Sequence, residues 1–311
     1  MLWLHDIARI IIITNTILAF YIVFHRRRSV STTWAWLIIL LVLPIIGLIL
    51  YAFFGRGISQ ENIFAINKQH HLGLRNVQKA IAKAPKKISP SDTSNKGKIA
   101  INFFNKDGYS PVTKNNHVTL YSDGKEMFRD MIKDIKNAKE TVNVEFYTFY
   151  NDDIGNQILD LLIKKAREGI QVRVIYDAWG SQGATKTWFD QLRDAGGQVL
   201  PFITSRNMIT RYRINYHLHR KIVIIDGRIS WTGGFNIGDQ YLGRKKKFGY
   251  WRDSHVRIVG SASLLLQERF VMDWNASIQN DEQIITFNEM FFPDLDEHDI
   301  TPGDVATQII S

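Results

Sequence analysis

Cysteine is absent from all 311 residues. That removes disulfides, thiolate metal ligands and a cysteine nucleophile, and it leaves the compartment open. Acidic side chains are the scarcer sign, 30 against 39 basic ones, for a net charge of +9. Such a surplus suits anionic partners, whether nucleic acid, phosphoesters or an acidic membrane surface. No segment repeats at a period of roughly 20–50 residues, which sets solenoids and propellers aside. No small-x-small cleavage site is evident near the first apolar run, and the positive cluster follows that run, so a cleaved signal peptide fits poorly.

Charge is missing altogether from Trp34 to Phe54, a run long enough for the ~20 residues that cross a hydrocarbon core. Trp34, Trp36 and Tyr51 sit near its ends, where amphipathic rings prefer the interface. An earlier stretch, Ile10 to Phe24, is apolar apart from Thr14, Asn15 and Thr16, and "HRRR" follows at His25–Arg28. Residues 1–55 are therefore expected to form a two-helix membrane anchor. The arginine loop would face the cytoplasm by the positive-inside rule, while Arg56, Lys68 and Arg75 pull the other way. Residues 56–111 read as a linker rich in Lys, Asn, Gln and Ser, with a loop signal at "SPSDTSNKGK". His70 and His71 have no ligand partner at helical spacing and read as a solvated face.

The rest, 112–311, alternates strand and helix. "HVTLYSDGKEMFRDMIKDIKNAKE" gives a strand, a turn and a helix with Met127, Met131, Ile132 and Ile135 on one stripe. "TVNVEFYTFY", "IQVRVIYDAWGS" and "QVLPFI" read as strands, separated by helices that glycines close. That βαβ spacing predicts an α/β fold with a largely parallel sheet and helical flanks.

"HRKIVIIDGRISWTGGFN", residues 219–236, carries the chemistry. In a strand, His219, Lys221, Val223 and Ile225 share one face, and Ile222 and Ile224 take the other. The His-x-Lys spacing thus projects an imidazole and an ammonium together from the strand's start. Asp226-Gly227 signals a hairpin, and the returning strand can bring Gly233, Gly234 and Asn236 back beside them. Glycines admit close backbone approach to a ligand, and an asparagine amide donates to an oxyanion. A phosphodiester suits this set: lysine and asparagine would neutralise the non-bridging oxygens while histidine attacks phosphorus or moves a proton. That chemistry needs no metal. The pair His217 and His219 could suggest one, but no carboxylate or third histidine sits nearby in sequence.

The spacing His-x-Lys-x4-Asp followed by Gly-Gly-x-Asn resembles the "HKD" motif of the phospholipase D superfamily, here His219, Lys221 and Asp226. "TTWAWLIILLVLPIIGLILYAFFGR", "GGFNIGDQYLG", "YWRDSHVRIVG" and "LLQERFVMDWN" further resemble bacterial cardiolipin synthases, in their first catalytic half. The resemblance implies a phospholipase D-like mixed β-sheet flanked by helices, behind a transmembrane hairpin in a bacterial cell membrane. It implies a phosphatidyltransferase that joins two phosphatidylglycerol molecules into cardiolipin and glycerol through a phosphohistidine, with no cofactor. His219, Lys221 and Asp226 would be the catalytic set, although Asp226 stands at a turn where it could order the hairpin instead. The superfamily orients its imidazole with a downstream carboxylate; Asp253 in "YWRDSH" is the candidate, against a surface aspartate in a loop. Glu145, polar within an apolar strand, reads as a buried charge partner. Arg244 with Lys245, Lys246 and Lys247 forms a basic run, either a solvated loop or a contact for anionic headgroups.

The superfamily uses two facing motifs, and no second His-x-Lys occurs in the chain. The expectation is a half-enzyme, completed by a missing second half or by a homodimer mate. Two rival functions remain: a phosphodiesterase or nuclease on the same fold, which +9 would suit and the apolar hairpin opposes, and a catalytically inert membrane scaffold.

Overall fold

Pro44 breaks the long uncharged run. In the computed structural model, α1 covers Leu2–His25, α2 covers Val30–Val42 and α3 covers Pro44–Phe54. The structure describes residues 2–25, 30–54, 94–105, 110–202, 218–278, 283–286, 288–293 and 305–310. Proline cannot donate to the carbonyl four residues back. Asn15, buried on α1, fills the gap: its amide nitrogen donates to Leu40 O at 3.1 Å and Pro44 O at 3.2 Å. Large apolar side chains cover the outside of these helices, among them Ile13, Ile17, Trp34, Leu41 and Ile45. Among the described residues no helix is long and apolar enough to cross a membrane. The chain divides into two compact units, one holding these helices and the other the sheet. Most of the expected linker lies outside the described residues, apart from α4, Asn95–Asn105.

The second unit is built on eight strands: β1 (Val112–Asp123), β2 (Thr141–Phe146), β3 (Gln171–Tyr176), β4 (Gln198–Pro201), β5 (Lys221–Ile225), β6 (Ile229–Gly233), β7 (Arg252–Val259) and β8 (Val305–Gln308). Their order is β4-β3-β2-β5-β6-β7-β1-β8. Only β2, β3 and β4 run parallel; every other pairing is antiparallel. The sheet is therefore mixed, and the largely parallel expectation from βαβ spacing holds for one wing alone. β5 already enters antiparallel to β2, and the hairpin at Asp226-Gly227 then lays β6 antiparallel against β5.

Helices cover both faces. On one lie α5 (Gly124–Lys136), α6 (Asp153–Arg167) and α7 (Lys186–Asp194); α8 (Ala262–Ser277) lies on the other. The methionine-isoleucine stripe of α5 is buried as its spacing required. Asp123 caps that helix, accepting from the Lys125 and Glu126 amides, and so satisfies two donors that every helix start leaves open. Val223 and Ile225 enter the three-helix core, while Ile222 and Ile224 enter the core under α8. This is the alternation expected of β5.

Candidate active site

Lys221 opens β5, and the register sets it against Phe146 at the end of β2, which in turn pairs with Tyr176 at the end of β3. Three chain segments thus converge at one edge of the sheet: Tyr147, Asp177 and the residues before Lys221. Asp177 fixes them. Its carboxylate accepts from the Trp179 and Gly180 amides at 2.9 and 2.8 Å and from Leu218 N at 3.0 Å. Leu218 is buried, so the chain is clamped immediately before His219.

His219 is exposed, with its ring 5.3 Å from that of Tyr147. Lys221 is buried; its ammonium donates to His219 O at 2.7 Å and lies 5.5 Å from the Tyr147 ring. The charge of Lys221, then partial burial, holds His219 below its ordinary value of 6.5. Burial pulls Lys221 down to about 8, against the opposing pull of Asp253. At neutral pH this pair is a neutral imidazole beside a cation, the protonation state that a nucleophile next to a phosphate needs.

Arg220 points the other way. Its guanidinium meets Asp273 with two bonds, at 2.9 and 2.8 Å, and Glu145 at 3.2 Å. Glu145 is the buried charge partner its strand position suggested. Burial, then the charge of Asp273, pushes its carboxyl well above the usual range. This network ties β5 to β2 and α8 directly behind the imidazole.

The returning strand sets Ile222 opposite Thr232, which brings Gly233 across from Lys221. Here the glycines do something other than receive a ligand. A Cβ on Gly233 would come 2.4 Å from Ser254 O, and one on Gly234 would come 1.9 Å from a carboxylate oxygen of Asp253. They make room for β7 and for Asp253, whose charge acts on both Lys221 and His255. Asn236 is buried and engaged at both ends. Its carbonyl accepts from Thr148 N at 3.1 Å, and its amide nitrogen bonds the Tyr241 hydroxyl at 2.8 Å. Among the described residues its second amide hydrogen has no partner.

Asp226 is not brought to this edge. It ends β5 at the far side, where its oxygens accept from Lys139 N, Glu140 N and Thr141 N at 2.8 to 2.9 Å. A carboxylate so placed staples the hairpin, at the opposite end of β5 from His219 and Lys221, with which the sequence pattern had grouped it. His217 lies outside the described residues.

Sequence reasoning passed over Tyr147, Asp177, Arg220 and His255. His255 has an arginine, not a lysine, two residues on and so falls outside the His-x-Lys pattern. It is buried near Trp231 and Phe235, neither ring nitrogen has a hydrogen-bond partner among the described residues, and burial takes it down to about 4.

Residues 131–274 match a family model described as cardiolipin synthase, PLD-like domain, and residues 13–56 match one described as phospholipase D-nuclease N-terminal. A cardiolipin synthase of Staphylococcus aureus is 40% identical over 304 residues, covering 96% of this chain and 60% of that one. A cardiolipin synthase of Listeria welshimeri is 40% identical over 287 residues, covering 91% and 59%. The chain thus spans about 60% of the length of the curated relatives it matches. Among solved structures, NucT from Helicobacter pylori aligns at 17% identity with a TM-score of 0.42, over 52% of this chain and 98% of that one.

Proposed function

Because the chain belongs to the phospholipase D-like cardiolipin synthase family, we propose that it supplies one half of a site that transfers a phosphatidyl group between two phosphatidylglycerol molecules. The observation that carries this reading is the pair at the sheet edge: an exposed imidazole held neutral by a buried ammonium. His219 attacks phosphorus and forms an N–P bond as the P–O bond to one glycerol breaks. The departing oxygen takes a proton from an acid on a second motif. A hydroxyl of the second phosphatidylglycerol gives up its proton to that same group and attacks phosphorus, and the N–P bond breaks to release cardiolipin. Lys221, with Asn236, bears the negative charge that builds on the non-bridging oxygens. Asp253 holds the local positive charge in balance.

The acid comes from outside this chain's one motif, from a second HKD half or a homodimer mate. Residues 1–55 anchor the protein in the bilayer, α2 and α3 acting as one span interrupted at Pro44. The outward apolar side chains of α1, α2 and α3 support that reading, since an apolar surface of this extent needs lipid or protein around it.

The test is trapping. With labelled phosphatidylglycerol and a preparation that includes the second motif, the chain should form an acid-labile adduct, and His219→Ala should form none. An undiminished adduct in His219→Ala would remove the nucleophile assignment. Cleavage of labelled DNA in place of lipid transfer would favour the nuclease, and inactivity toward both would favour the scaffold. Carbonate-washed membranes should retain the whole chain and release one that starts near Gln60.

A further inference from the structure

β3 carries an unbalanced charge of its own, on the face that α8 covers. The Arg173 guanidinium lies 4.8 Å from the Phe291 ring centroid and 5.7 Å from that of Trp274. One of its terminal nitrogens donates to Gln171 at 3.0 Å, while its Nε is buried with no hydrogen-bond partner among the described residues. Gln198 is its cross-strand neighbour, and the side-chain oxygen of Gln198 is likewise buried and unpartnered. These groups line a cavity of about 410 Å³, bounded on its far side by Thr286 and Asn288. Among the described residues no carboxylate lines it. Among the described residues Arg173 has no ion pair, and burial alone brings it down to about 10.

Arg173 is half-buried, with its Nε out of reach of water, and a cation so desolvated without a counter-charge carries a cost that a paired anion would offset. Here nothing in the lining supplies the anion, while space for one is present. We propose that this cavity is a second anion site, in which Arg173 and its flanking glutamines hold a phosphate group carried on a small polar body. A planar guanidinium flanked by aromatic rings matches the paired oxygens of a phosphate. The volume exceeds what a bare oxyanion fills and falls in the range of small-molecule sites. The site shares no lining residue with the His219 centre, and it stands whether or not the phosphatidyl-transfer reading does.

The test uses the whole chain in detergent, carrying Lys221→Met so that the sheet-edge cation no longer contributes. Calorimetric titration with inorganic phosphate, glycerol 3-phosphate and dihexanoyl phosphatidylglycerol separates the sources. Saturation by either soluble probe marks a free phosphoester; saturation by the lipid alone marks a headgroup. Arg173→Gln should weaken binding by about tenfold or more, the usual scale for losing a charged hydrogen bond. Gln198→Glu covers the case in which Arg173→Gln does not fold. It sets a carboxylate across from Arg173 and neutralises it from within, so binding should fall as steeply while the melting temperature holds or rises. No saturation by any of the three probes, or unchanged binding in Gln198→Glu, overturns the proposal.

Discussion

The two ends of β5 treat charge in opposite ways. At its start, the Lys221 ammonium is buried with one hydrogen bond among the described residues, to a neutral carbonyl. At its end, Asp226 accepts three backbone amides. A cation left short of partners keeps its field for a ligand; a saturated carboxylate has none to give. On the proposed reading, the spacing that looks like one motif joins two different jobs, chemistry at one end and architecture at the other. Asp226 even adopts φ of 52°, a left-handed conformation that aspartate tolerates better than most residues.

The sharpest way to break that contrast is Lys221→Met. Phosphatidyl transfer, assayed with the second motif present, should fall roughly 10²- to 10³-fold, the cost of removing one donor to a developing oxyanion. The melting temperature should stay close to that of the parent, because the lost group was a poorly paired buried charge. Activity and stability falling together would move Lys221 to the architectural end.

Asp226→Ala should invert the result. Three amides lose a charged acceptor, at about 1.5–3 kcal/mol for hydrogen bonds to a charge, and the melting temperature should drop by about 5–10 °C. Turnover per folded molecule should stay near that of the parent. Asp226→Asn keeps one acceptor oxygen and the tolerance for positive φ, so it should recover about half of the loss. A variant that melts normally but fails to turn over would restore Asp226 to the catalytic set.

Much of this was legible in the residue pattern, and the failures share a cause. Alternation in "KIVII" assigned faces correctly, because side-chain direction in a strand is a local property. The partners of Asp226 lie in residues 139–141, far away in sequence, and no spacing rule reaches them. The same holds for Gly234, whose missing side chain admits Asp253 from the next strand. Asp177 was visible as the polar end of an apolar strand, yet its clamp on Leu218 crosses between β3 and β5. His255 fits no motif spacing; what sets it apart is burial without hydrogen-bond partners among the described residues, which only the fold reveals. The parallel wing was predictable from helix-strand alternation; of the antiparallel wing only the β5-β6 hairpin was, through its turn.

The smallest effect expected is also the one that measures Lys221 directly. Its ordinary value is 10.5, and in the folded protein burial lowers it to about 8. Between those values the unfolded chain holds a proton that the folded chain has released. Stability contributed by this group therefore rises as pH climbs from about 8 to about 10.5. Activity should move the opposite way, because deprotonated Lys221 no longer neutralises the phosphate. On the acid side, His219 sits below 6.5, so its loss of nucleophilicity begins only under that pH. Melting temperatures of the parent and of Lys221→Met should be compared point by point from pH 7 to pH 10.5, since titrating groups that Lys221 does not influence cancel in the difference, and His219, which it does, titrates below that range. The parent should gain on the variant across the upper part of that range while its turnover declines. A flat difference would mean that Lys221 keeps an ordinary value, and the two ends of β5 would then differ in geometry but not in charge.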